Sequence, residues 1–314
     1  MTRPVLRLLA AGVLLTSTAV ATATPSTATP PAATTAVQAP AVPQKAGGLD
    51  ATGYWTAEKL KNAIPADLPG TTGTPSPQGK SSQAGGVASH PVAPRHKVAN
   101  DPVPSSAGKV FFSYNGLNYV CSASTINNSY KNLIITAGHC VHGGAGQGWH
   151  SNIVFAPSYY NGQSGAGLWN WSQARAFNSW IDSSDFSHDQ AFVTLQQRNG
   201  QNLIDAVGGN GLVWGNGRDQ AGTRIWGWPA EPPYNGEVPY YCDGTTFAWG
   251  STDAALGCTM NGGASGGPWM KDRIDANLGY VFAVTSRRTT SGTPYLLATP
   301  NSADVKTMFD QMTT

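Results

Sequence analysis

The sequence predicts an all-β fold that ends in a single helix. Short apolar runs rich in Val, Ile, Phe, Tyr and Trp recur between clusters of Gly, Asn, Asp, Ser and Pro, at spacings that suit strands joined by turns. Only 11% of the 314 residues are charged, while 37 are Gly and 10 are Trp, which argues against a coiled coil or a long helical bundle. After Pro300 the period changes. Val305, Met308, Phe309 and Met312 fall at i, i+3, i+4 and i+7, one apolar face of a helix, with Asn301 or Ser302 placed to cap it.

At the N-terminus, Arg3 and Arg7 precede an apolar run over residues 8–21, and Ala21-Thr22-Ala23 has the small residues of a secretory cleavage site. The run is too short and too interrupted by Thr and Ser to span a bilayer. Residues 1–23 therefore read as a signal peptide, and the protein as secreted and extracellular, with no membrane association once the signal is removed. Residues 24–98 form an Ala/Thr/Pro-rich leader, read as the propeptide of a zymogen with a flexible stalk as the alternative. Its one organised island runs from Gly53 to Ile64, where Thr56 would cap a two-turn helix ending before Pro65. Residues 99–314 read as the folded domain.

Net charge separates these parts. Residues 1–98 carry 8 Lys+Arg and 3 Asp+Glu, residues 99–314 carry 11 and 14, so the domain is mildly acidic at −3. With no basic run, nucleic acid is not an expected partner. Within the domain, Val110 to Tyr114 and Asn118 to Ser122 flank Asn115-Gly116 and read as a hairpin. Further strand-like runs are 132–137, 153–155, 191–195, 224–228 and 280–284.

Export leads to an oxidising compartment, so the four cysteines read as two disulfides. Cys121 with Cys140 and Cys242 with Cys258 is one of three pairings, the one that closes two short loops. A zinc site at Cys121, His139, Cys140 and His142 is disfavoured, since no CxxC or HxxxH spacing occurs. No metal or cofactor is expected.

The chemistry centres on Gly263-Ala264-Ser265-Gly266-Gly267-Pro268. So many glycines around one hydroxyl imply a sharply turned backbone that another molecule approaches closely. Ser265 reads as a nucleophile, with the Gly263 and Ser265 amides aimed at a developing oxyanion. A serine needs a base. His139 directly follows the apolar run at 133–137 and is pinned by Cys140; Asp189 opens the apolar run at 191–195, with Asp182 and Asp185 as alternatives in a Ser-rich loop. The order His, Asp, Ser excludes an α/β-hydrolase, which needs a histidine after the serine, because none follows His188.

Cys121 with Thr136-Ala137-Gly138-His139-Cys140, Asp189 before its apolar strand, and the glycine-flanked Ser265 together resemble the secreted chymotrypsin/trypsin-like serine peptidases, on the bacterial side near the V8-like glutamyl endopeptidases. The resemblance covers roughly residues 108–314. It implies two antiparallel six-stranded β-barrels with the active site in the cleft between them, and a monomer acting on proteins or peptides. His139 matches the general base and acid, Asp189 the orienting carboxylate and Ser265 the acylated nucleophile. Gly263 and Ser265 match the oxyanion hole, Ser286 the residue that bonds the triad aspartate and the substrate backbone, and Thr259 the base of the specificity pocket.

The chain also departs from the family. Ala264 stands where most members have Asp, no Ile-Val-Gly-Gly start is visible near residue 100, and Thr285 replaces the pocket histidine of the glutamyl endopeptidases. The Cys242–Cys258 loop is expected to hold the glycine turn in place of the missing charge. Arg287 and Arg288, just beyond the pocket strand, are placed either to attract an acidic substrate side chain or to point to solvent. The alternative to an endopeptidase is a non-catalytic binding or adhesion protein on the same scaffold.

Overall fold

Asn115 and Gly116 both take left-handed backbone, φ 49° and 77°, and turn the strand Ala107–Tyr114 back along Leu117–Ile126. This hairpin seeds the first of two β structures in a computed structural model that describes residues 36–38, 50–68, 75, 85–95 and 103–312. All of them lie in one compact unit, residues 34–314. The signal-peptide reading at 1–23 falls outside the described residues, as does much of the leader. Among the described residues no helix is long and apolar enough to cross a membrane.

Six strands close the first structure into a ring. Leu117–Ile126 pairs with Leu133–Thr136, that with Ala191–Leu195, and that with Trp169–Phe177; Ser151–Pro157 then joins Trp169–Phe177 to Ala107–Tyr114. Leu133–Thr136 and Ala191–Leu195 are buried along their whole length, which is why both read as apolar runs without alternation. Their register sets Ala191 opposite Thr136, so residues just past one strand and just before the other meet at the same end of the barrel.

The second structure consists of two sheets around one core. Thr223–Gly227, Pro268–Lys271, Tyr280–Val284 and Gly211–Trp214 form one sheet with Tyr240–Gly244 at its edge; Phe247–Trp249, Asp253–Gly257, Tyr295–Ala298 and Arg287–Arg288 form the other. Ile225, Trp269 and Phe282 of the first pack with Leu256 and Leu296 of the second. The ladders do not close this half into a ring as they do the first. The chain ends in the helix Ala303–Gln311, capped by Ser302, whose hydroxyl accepts from the Asp304 amide, and it buries Val305, Met308 and Phe309. Both disulfides follow the short-loop pairing, Cys121–Cys140 and Cys242–Cys258.

Segments N-terminal to residue 99 are part of this body. The expected helix is present as Ala57–Lys61, with the Thr56 hydroxyl accepting from the Lys59 amide. Trp55, 5% exposed, packs against Phe111 of the first barrel and donates its indole N–H to the Asn152 carbonyl at 2.7 Å. Gly86–Ser89 adds an antiparallel strand beside Gly211–Trp214. The sequence shows no such strand, because its partner lies more than a hundred residues away.

Candidate active site

The register of Leu133–Thr136 against Ala191–Leu195 brings His139 onto Asp189. His139 sits in the 3₁₀ turn Gly138–Cys140 that ends the first of these strands. One Asp189 oxygen accepts the His139 main-chain N–H at 2.8 Å; the other accepts from the ring Nδ1 at 2.9 Å and from the Ser286 hydroxyl at 2.6 Å. Asp189 is 1% exposed and His139 5%. A carboxylate so buried is stable only when its oxygens are satisfied, and three donors do that here. Of the alternatives, Asp185 caps the short turn before Asp189 and pairs with His188.

His139 Nε2 is buried and makes no hydrogen bond among the described residues. Because Asp189 accepts at Nδ1, the neutral ring carries its proton there and presents a lone pair at Nε2. Ser265, 3% exposed, comes from the second half of the molecule. Its carbonyl accepts from the Ser122 amide of the first barrel at 2.7 Å, a bond across the junction of the two halves.

Neutral hydrogen bonds hold the glycine turn. The Gly262 carbonyl accepts from the Ala230 amide at 2.7 Å, and the Gly266 amide donates to the Thr285 carbonyl at 2.7 Å. The Ser122 hydroxyl accepts from the Trp228 amide at 2.9 Å and donates to the Gly263 carbonyl at 2.8 Å. With these carbonyls engaged, the Gly263 and Ser265 amides have no acceptor among the described residues. Gly263 has φ +96°, and a Cβ there would lie 2.6 Å from the Trp228 carbonyl oxygen, so glycine is required. The turn is thus held by bonds to Ser122, Ala230 and Thr285. Ala264 is buried and uncharged. Nothing in the sequence marks Ser122 for this role, because its partners lie more than a hundred residues away.

The Ser286 hydroxyl bonds Asp189. Thr259 does not lie at the floor of a pocket. It is exposed between buried Cys258 and Met260, and its hydroxyl meets that of Tyr234 at 2.7 Å. The side chain that turns inward here is Met260, whose sulfur lies against Gly227. The two arginines divide. Arg287 forms a buried pair with Asp253, whereas Arg288 pairs with Glu231 at 2.8 Å and with Asp67 at 2.9 Å. Cys121 and Cys140 do cluster with His139, but both sulfurs are in the disulfide and offer no thiolate.

A cavity of about 170 Å³ adjoins His139, walled by Phe112, Tyr119 and His150. His150 stacks on Phe112 with ring centroids 4.3 Å apart, and burial pushes its imidazole down to about 3. The unfolded chain takes up a proton near pH 6.5 while the folded one does not, so this group contributes stability above 6.5 that is lost as pH falls toward 3. By pH 4 the loss is on the order of 3 kcal/mol. His150→Phe, which keeps the stacking, is expected to flatten the fall in Tm between pH 7 and 4. Parallel Tm profiles of the two proteins would show that His150 is not a source of that slope.

No family model and no curated protein matches the chain. Solved structures do. The chain is similar to the thermostable serine protease AL20 from an extremophilic microorganism, at 30% identity and a TM-score of 0.63, over 67% of this chain and 97% of that one. It is also similar to the protease Anisep from Arthrobacter nicotinovorans, at 28% identity and 0.62, over 68% and 97%. A Glu endopeptidase matches at 0.56 over 69% and 95%; at 17% identity it speaks for the fold alone.

Proposed function

The chain belongs to the serine proteases of the chymotrypsin/trypsin fold, and from that premise we propose that it is a secreted serine endopeptidase with Ser265 as nucleophile, His139 as general base and acid, and Asp189 as the carboxylate that orients it. The observation that carries this reading is the commitment of His139 Nδ1 to a fully bonded, buried Asp189, which leaves the Nε2 lone pair as the base.

In the proposed cycle, Ser265 Oγ attacks the scissile carbonyl carbon as its proton passes to His139 Nε2. The carbonyl oxygen gains the charge and is received by the Gly263 and Ser265 amides, whose carbonyl neighbours are already engaged. Asp189 stabilises the imidazolium. The ring returns the proton to the amine as the C–N bond breaks, leaving an ester on Ser265. Water, deprotonated by the same Nε2, then releases the acid and restores the serine. Two closed disulfides suit an oxidising, extracellular setting.

The test is incubation with a fluorophosphonate probe followed by peptide mapping, with hydrolysis of a peptide library alongside. The expected result is a single adduct on Ser265 and turnover of internal peptide bonds. A protein that takes no label and cleaves nothing is instead a binding protein on this scaffold.

A further inference from the structure

Lys109 lies inside the molecule, 3% exposed, on the strand Ala107–Tyr114 of the first barrel. A lysine is almost never so buried unless its ammonium is bonded or paired. Here Nζ donates to the Gly236 carbonyl at 2.9 Å and sits 4.2 Å from the centre of the Tyr159 ring. Gly236 closes a loop over residues 229–236, its amide donating to the Pro229 carbonyl at 2.8 Å. It is also wedged between two neighbours: a Cβ there would lie 2.9 Å from that of Ala230 and 3.4 Å from Lys109 Nζ. Ala230 in turn touches the proposed oxyanion hole. Its amide holds the Gly262 carbonyl at 2.7 Å, and its Cβ is 3.1 Å from where a Cβ on Gly263 would stand. Asn261 fastens the same loop, donating to the Glu231 carbonyl at 2.8 Å and accepting from the Glu231 amide at 3.3 Å.

We propose that Lys109 is a positioning residue for the oxyanion hole, acting through the 229–236 loop and not by touching substrate. The inference rests on the peptidase reading above. The carbonyl of Gly262 and the N–H of Gly263 belong to one rigid peptide plane, so whatever fixes the carbonyl also aims the N–H. The ammonium fixes Gly236, Gly236 packs on Ala230, and the Ala230 amide fixes that carbonyl. Two titratable groups face the ammonium: Glu237, next to the loop, and Tyr159, whose hydroxyl donates to the Glu237 carboxylate at 3.3 Å. Burial brings Lys109 down to about 8 against the pull of Glu237, while burial and Glu237 push the Tyr159 phenol up, so it keeps its proton. A neutral amine donates more weakly than an ammonium. The hold on Gly236 therefore slackens as pH rises through about 8.

The experiment measures kcat and KM of the full chain on a peptide substrate from about pH 6 to about pH 10, for wild type, Lys109→Met and Glu237→Gln. Alongside, it measures the Ki of a peptide trifluoromethyl ketone, whose adduct on Ser265 carries the oxyanion. Lys109→Met is expected to lower kcat about tenfold to a hundredfold with KM within about twofold, and to weaken the ketone by the same factor. Wild-type kcat should fall above about pH 8, and Lys109→Met should show no such fall. Glu237→Gln leaves an acceptor for the Tyr159 hydroxyl but removes the charge. It should match wild type on the acid side of the fall and shift the fall to lower pH by about one unit. If Lys109→Met misfolds, the other two profiles decide, and a fall that ignores Glu237→Gln overturns the proposal. A Lys109→Met protein with wild-type kcat and ketone affinity, or with KM alone raised, overturns the positioning role and leaves the peptidase reading intact. No cleavage by any form, wild type included, overturns both.

Discussion

Ser265→Ala is expected to lower kcat by about 10⁵ to 10⁶-fold while the protein folds as before. The substitution removes one hydroxyl from a side chain that makes no hydrogen bond on which the turn depends. The bonds that position residue 265 come from the main chain: its carbonyl on the Ser122 amide, the Gly266 amide on Thr285, and the Gly262 carbonyl on Ala230. The oxyanion hole and the binding surface therefore survive, and the residual rate over water is theirs. Stability should stay within about 0.5 kcal/mol of wild type, since none of the mechanisms behind large losses applies. His139→Ala is expected to cost about as much, and the double variant little more, because a nucleophile without its base and a base without its nucleophile fail at the same step. Burst kinetics with a chromogenic ester, which count the acylated sites, measure this directly. A Ser265→Ala protein that turns over peptides within tenfold of wild type would refute the assignment.

The frame of the fold was legible because its signals are local. Leu133–Thr136 and Ala191–Leu195 are buried on both faces and so spell continuous apolar runs. Asn115-Gly116 marks its own turn, and the C-terminal helix shows its apolar stripe. The residues of the candidate site were legible for a related reason: two of them sit at the ends of those buried strands, and the third lies in a turn whose glycines have no other local explanation.

What escaped the sequence depends on distant partners. Trp169–Phe177 mixes Asn, Ser, Gln and Arg with its aromatics and shifts register between Trp171 and Gln173, so no alternation reveals it. Arg287 and Arg288 are adjacent and chemically identical, yet one pairs with Asp253 and the other with Glu231 and Asp67; only the fold decides which. The leader reads as too poor in apolar residues to order itself. Its described segments borrow order instead, through Trp55 on Phe111 and by pairing with Gly211–Trp214 and Leu117–Ile126.

Asp189→Asn is expected to cost about 10⁴-fold in kcat with almost no loss of stability, and the hydrogen bonds explain both halves of that result. An amide fits the site with its oxygen in place of the carboxylate oxygen that takes the His139 main-chain N–H. Its NH₂ group then faces His139 Nδ1 and the Ser286 hydroxyl, where the carboxylate accepted from both. Ser286 can accept instead of donate. The imidazole can do so too, but only by shifting its proton to Nε2. Both amide protons of the new side chain find acceptors and no volume changes, so Tm should move by no more than a few degrees. The ring, however, now presents an N–H where Ser265 needs a base, and no anion faces the imidazolium that forms during attack. A Ser286→Ala control separates these effects: it removes one donor to Asp189 without touching the tautomer, and should cost far less activity. If Asp189→Asn and Ser286→Ala prove equally mild, Asp189 is only a structural carboxylate, and the orienting group must be sought elsewhere.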